Sequence, residues 1–235
     1  MLLVASGYYA YRLTRGLVDD PTSAADAFQH ARDLISIERS LNVFVEPSIQ
    51  GFAEHVPAVD DIAAWVYLNA QSTVTLAALV WLYLRHNSSF YFVRNMFIVA
   101  WLLAIVGYVV YPTAPPRFLP EWGFHDTVAD FTGVDHDSVA VNALFNPYAA
   151  VPSMHVGFAL MVGIPLARLS ALRVTRVAWT LYPLLVTFVI VATANHFLAD
   201  AFLGVATVAT AAWVAAWLGR VRPTAWAFSP ARTAA

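Results

Sequence analysis

Two short polar clusters interrupt apolar sequence and carry side chains suited to phosphoryl chemistry. The first is Pro152-Ser153-Met154-His155 and the second is Asn195-His196-Phe197-Leu198-Ala199-Asp200. Each opens an apolar stretch of helical length, so each marks a predicted helix N-terminus. Such termini expose backbone N–H groups and a partial positive charge, which suits a phosphate. His196 and Asp200 are four residues apart, a spacing that shares one face of a helix. Asp200 then accepts a hydrogen bond from one ring nitrogen of His196, fixes its tautomer and leaves the other nitrogen to attack. His155, on a facing helix, is the candidate to protonate the leaving oxygen. The phosphate oxygens need a cation, and Arg117, in Tyr111-Pro112-Thr113-Ala114-Pro115-Pro116-Arg117, lies at the matching level. Ser153, Asn195 and Arg12 complete the candidates for phosphate contact.

Each of these groups also has a plain structural reading. A membrane His often bonds one helix to another, and a His–Asp pair can simply satisfy itself at a helix end. Pro and Ser are ordinary helix starters. A single interfacial Arg can anchor a headgroup. Their meeting at one membrane face favours chemistry. The two histidines and Asp200 lack an obvious fourth metal ligand, so neither a metal nor another cofactor is expected.

The elements that must position these groups are membrane helices. Hydrophobic residues make up 60% of the 235 and charged residues 12%, against roughly 25% charged in a soluble domain. So few charges cannot cover a globule of this size in water, and lipid must cover part of it. Five stretches fit a hydrocarbon core of roughly 30 Å: Ile62–Leu84, Phe90–Tyr111, Pro152–Leu169, Val177–Ala194 and Phe197–Leu218. Leu2–Val18 is a sixth, in which Arg12 and Arg15 must face a partner or water. It has no small-residue cleavage site, so no cleavable leader is expected. The predicted fold is all-α, a polytopic bundle of about six transmembrane helices forming a single membrane domain over 1–235. Ser23 and Asp26 read as a capped helix start. Phe28, Ala31, Leu34, Ile35 and Leu41 recur at helical spacing, which predicts an amphipathic helix over about 24–42 on the membrane surface. The connection 112–151 holds five Pro and five acids and is expected to form an ordered outer cap. The tail after Arg220 is expected to be disordered.

All 13 basic residues are Arg. Arg85, Arg94, Arg168, Arg173, Arg176, Arg220, Arg222 and Arg232 share one side of the predicted bundle with none of the 15 acids. The positive-inside rule makes that side cytoplasmic and the polar clusters extracytoplasmic. Arg12 and Arg15 break the pattern. The net charge of −2 gives no footprint for nucleic acid, and the absence of Cys excludes disulfides.

The Pro152–His155 and His196–Asp200 motifs resemble the Pro-Ser-x-His and His-x-x-x-Asp motifs of the type-2 phosphatidic acid phosphatase superfamily. The Tyr111–Pro116 stretch is similar to the branch containing inositol phosphorylceramide synthases. The resemblance runs over about 90–219, with a weaker echo in Glu38–Gln50. It implies a phosphohistidine at His196, acid–base work by His155 and orientation by Asp200. The chain departs from phosphatase members in having no Lys-x₆-Arg-Pro, and Val189-Ile190 where they carry Ser-Arg. Two usual phosphate-binding cations are therefore missing. A monoester carries nearly two negative charges and a diester about one, so the loss leans toward diester headgroup transfer. The reading is a membrane phosphotransferase that moves a phosphoinositol-like headgroup from a phospholipid to an alcohol. A lipid phosphate or polyprenyl diphosphate phosphatase is the alternative within the family. A non-enzymatic lipid-binding or transport protein is the alternative outside it.

Overall fold

The computed structural model of the protein describes residues 21–56, 58–134 and 147–226. The predicted first span, with Arg12 and Arg15, lies outside the described residues. The described chain is all-α. Two helices, α1 (Pro21–Ser40) and α2 (Glu46–His55), precede α3 (Val59–Arg85) and α4 (Asn87–Val110). Two 3-10 turns (Pro116–Phe118 and Pro120–Trp122) and α5 (Thr127–Thr132) follow, then α6 (Met154–Leu169), α7 (Arg173–Ala192), α8 (Leu198–Val221) and the short α9 (Pro223–Trp226).

Helices α3, α4, α7 and α8 are long and apolar enough to cross a membrane. Their outward faces carry large apolar side chains such as Ile62, Leu102, Leu184 and Phe202, the last 79% exposed. Lipid covers such a surface favourably. The predicted span at Pro152–Leu169 is shorter than expected, a helix of 16 residues, or about 24 Å at 1.5 Å per residue. Its position accounts for this. It packs against α4, α7 and α8, and most of its side chains are buried among them, including Phe158, Met161 and Val162. A helix walled in by protein need not match the bilayer.

Close backbone approaches fix the depth of α6. A Cβ on Gly204 of α8 would collide with the carbonyl oxygen of Ser153, and one on Gly107 of α4 would come within 2.7 Å of Pro152 Cδ. Small residues at these crossings let the helix starts touch.

The tail is ordered further than expected, because the Trp226 carbonyl accepts from Asn95 Nδ2 at 2.8 Å and from Arg94 Nη2 at 3.3 Å.

Helix α1 corrects a second expectation. Ala27, Ala31, Leu34 and Ile35 form its apolar stripe, as the spacing predicts. The stripe packs on Ala114, Leu119, Phe124, Val151, Ala194 and Phe197 of the cap and the α7–α8 turn. Leu41, placed on the same stripe from sequence, falls past the helix end and is 65% exposed. The helix stops because Asn42 adopts φ +56°. Val43 N then donates to Glu38 O, and Asn42 N to Arg39 O, which together close the C-terminus in a Schellman turn.

The proline-rich stretch after α4 is an ordered strut. Pro112, Pro115 and Pro116 have no N–H to satisfy. The donors that remain are all paired: Thr113 N with Tyr148 O, Ala114 N with Ala27 O, and Arg117 N with Ala194 O. His30 of α1 stacks on Tyr111 at 3.9 Å, and its Nδ1 lies 2.7 Å from the Pro112 carbonyl oxygen. The stretch thus ties α1 to the turn that precedes His196.

Candidate active site

Both histidines stand at the same end of the bundle. Ser153 is the N-cap of α6, and His155 is its second residue. His196 is not on a helix. α8 begins at Leu198, two residues later than the motif suggests, and Asn195 and His196 lie in the turn after α7. There the N–H groups of Asn195 and His196 both donate to Ile190 O, at 3.0 and 3.1 Å. Ala194 takes φ +51°, a conformation that costs a residue with a Cβ about 1 kcal/mol or more. Its full burial in the outer core holds it there.

The predicted His–Asp pair forms all the same. Asp200, in the first turn of α8, points back over the helix start. Its Oδ2 accepts from Phe197 N at 3.0 Å and lies 3.1 Å from His196 Nδ1. Asp200 is fully buried and His196 is 5% exposed. The contact sets Nδ1 toward Asp200 and leaves Nε2 on the far side of the ring. The rings of His155 and His196 lie 5.5 Å apart, edge to face. Tyr67 of α3 stacks on His155 at 4.5 Å and fixes its ring plane. Ser153 N donates to the Asp200 carbonyl at 2.9 Å, which locks the two helix starts together. Ser153 Oγ is buried with no hydrogen-bond partner among the described residues.

Arg117 reaches the same place. Its Nη1 donates to Asn195 Oδ1, its Nε pairs with Asp126 Oδ2 at 3.3 Å, and its guanidinium lies over the Phe118 ring. Asp126 in turn caps α5 through Oδ1. Asn195 gives its own amide to Thr193 O and Oγ1, so it holds Arg117 and has no donor left over for phosphate. Of the candidates from sequence, His155, His196, Asp200, Ser153, Asn195 and Arg117 converge here. Arg12 lies outside the described residues.

Matching profile and site coverage decide the family. The profile of the PAP2 superfamily matches residues 32–215, a span that contains every one of these converging groups. The chain belongs to the PAP2 superfamily. Enzymes of this superfamily are phosphatases or phosphotransferases acting on phosphorylated lipids, and this chain is an enzyme of that kind. A search of curated proteins and one of solved structures returned no match.

In this PAP2 chain one expectation fails. The start of α8 does not offer its N–H groups to a phosphate. Leu198 N donates to Glu46 Oε1 at 2.8 Å and Ala199 N to Glu38 Oε1 at 2.7 Å. Both acids come from outside the main bundle, from α2 and α1. Their acceptor oxygens complement the positive end of α8. Burial pushes the Glu38 carboxyl up to about 9, with Glu46 and then Asp200 adding to the rise and the Ala199 N–H opposing it. Sequence reasoning gave Glu38, Glu46, Tyr67 and Asp126 no role. A signal existed for Glu38, which falls one turn after Leu34 and Ile35 on the buried stripe of α1, where a carboxyl needs a partner.

Proposed function

We propose that the protein is a phosphotransferase that moves a singly charged phospho-headgroup, phosphoinositol-like, from a phospholipid to an alcohol through a phosphohistidine at His196. His196 Nε2 attacks phosphorus and the bond from phosphorus to the lipid alcohol oxygen breaks. His155 gives that oxygen its proton, so diacylglycerol leaves. The acceptor alcohol then gives its proton back to His155 and its oxygen attacks phosphorus. The N–P bond breaks, and His196 is regenerated with a new phosphodiester formed. Asp200 holds the His196 tautomer through both steps. Arg117 and Ser153 contact the phosphate oxygens. The polar clusters face the extracytoplasmic side.

The observation that carries the choice of a diester is the charge around Arg117. It is the cation beside the two histidines among the described residues, and Asp126 already neutralises much of it. A monoester dianion would bring nearly two charges to a site whose described residues have less than one to offer. A diester monoanion balances it. The cap built by α1 and the proline strut also limits water over the turn, which a transferase needs while the phosphohistidine waits.

Purified protein supplied with phosphatidylinositol or phosphatidic acid, with and without acceptor alcohols, tests the reading. The expected result is more headgroup transfer than inorganic phosphate release. Fast phosphate release from phosphatidic acid or a polyprenyl diphosphate, indifferent to any acceptor, would replace the transferase by a phosphatase. Orientation is tested separately in this Cys-free chain. His125→Cys should react with an impermeant thiol reagent from outside intact cells, and Arg173→Cys should not. The reverse pattern puts the site on the cytoplasmic face.

A further inference from the structure

Glu38 and Glu46 are 2% and 0% exposed, an unusual state for carboxyls. One oxygen of each accepts from α8. The second oxygens, Oε2 of both, are buried with no donor among the described residues. Their first oxygens accept from two adjacent N–H groups, Leu198 and Ala199, so the two carboxyls come together at the start of α8. Two ionised carboxylates facing each other in a dry site repel strongly and cannot donate. A single proton shared by the two carboxyls removes one charge and supplies the donor that their unpaired oxygens lack.

We propose that Glu38 and Glu46 share one proton and, as a singly charged acid pair, are positioning residues that set the turn carrying His196. This rests on the reading of His196 as the nucleophile. The route is short. The pair fixes the N–H groups of Leu198 and Ala199, and so the first turn of α8. That turn carries Asp200, whose Oδ2 closes on Phe197 N and His196 Nδ1. A shift at the pair therefore tilts the nucleophile.

The groups around the pair favour keeping the proton. Asp200 on α8 adds negative charge, and burial holds the Glu38 carboxyl up at about 9. Arg39, next to Glu38, is turned over the Trp122 ring. Gln50, one turn after Glu46, gives its amide to His125 O and Thr127 Oγ1, and His125 pairs with Glu54. The sign follows from the neutral form being favoured in the fold. The proton is held between the ordinary 4.5 and about 9. Its contribution to stability is full below the lower value and lost as pH rises to the upper one.

The test uses the full-length protein in detergent. At neutral pH, Glu38→Gln and Glu46→Gln should each keep most of their turnover, because the amide donates as the shared proton did. In both, the fall of kcat in wild type as pH rises through about 9 should disappear, and the unfolding midpoint should lose its slope between 4.5 and 9. Glu46→Ala should lower kcat by about tenfold or more with KM little changed, the cost of one unpaired buried donor. Should that variant not fold, the Gln variants still decide. Infrared spectra at neutral pH should show a protonated-carboxyl C=O band in wild type and in His196→Ala, and not in either Gln variant. A wild type without that band, or Gln variants that retain the alkaline fall, would overturn the pair. Turnover retained in His196→Ala would instead overturn the nucleophile, with the band still reporting on the pair.

Discussion

The two helix starts that carry the catalytic motifs are built in opposite ways. At α8 the backbone donors are answered from within the protein: Leu198 by Glu46, Ala199 by Glu38 and Phe197 by Asp200. At α6 the N-cap Ser153 makes no side-chain cap, and its hydroxyl is buried without a partner among the described residues. A closed start is rigid and holds a nucleophile. An open start has donors to give and suits a phosphate. On the proposed reading the first start holds and the second binds, although the two motifs look alike in sequence. Both are a short polar run ahead of an apolar helix.

The sharpest way to break this comparison is at the closed start. His196→Ala should lower turnover by about four orders of magnitude or more, since the step that makes the intermediate is gone. It should leave folding intact, because Asp200 still accepts from Phe197 N. Asp200→Asn should cost about 100- to 10,000-fold. The one oxygen, Oδ2, serves both Phe197 N and His196 Nδ1. An Asn therefore either keeps both contacts with a neutral oxygen that supports a cationic imidazole less, or turns its amide there, loses the Phe197 contact and imposes the wrong tautomer. His155→Ala should be partly rescued by a substrate with a good leaving group, which needs no proton. Steady-state rates on one lipid panel, with circular dichroism as the folding control, check all three. Near-full activity in His196→Ala would end the covalent reading.

The apolar bundle was legible in the sequence because span length and composition are local properties. Val59–Arg85 and Asn87–Val110 appear within a few residues of where the hydropathy puts them. The convergence of His155, His196, Asp200 and Arg117 was legible too, since each motif marks a predicted span end on one side. The acid clamp was not. Glu38 and Glu46 reach Ala199 and Leu198 across about 150 residues, and no local pattern encodes such a pairing. What covers the stripe of α1 was not legible for a related reason. An amphipathic stripe states that a face is covered and does not state by what. Here protein covers it: Ala27 and Ala31 meet Ala114 and Phe197 of the same chain. The helical spacing of His196 and Asp200 gave the right contact by the wrong geometry. A side chain at N3 that caps backward reaches the residue before the N-cap as readily as an i, i+4 neighbour would.

The smallest expected effect tests the open start. Ser153 Oγ is buried and unpaired among the described residues, a state that costs about 1–3 kcal/mol in the empty protein. Ser153→Ala removes that cost, so the unfolding midpoint should stay where it is or rise. The same change removes one hydrogen bond to a charged phosphate, worth about 1.5 kcal/mol, so kcat/KM should fall by about tenfold. A structural Ser would give the opposite pair of results, a lower midpoint and unchanged kinetics. Removing a cap from the closed start should move both quantities down together. Stability and kcat/KM measured on Ser153→Ala and Glu46→Ala therefore place each helix start on one side of the contrast. If both variants lose stability and activity in proportion, the two starts do the same job, and phosphate must be bound by groups other than the N-terminus of α6.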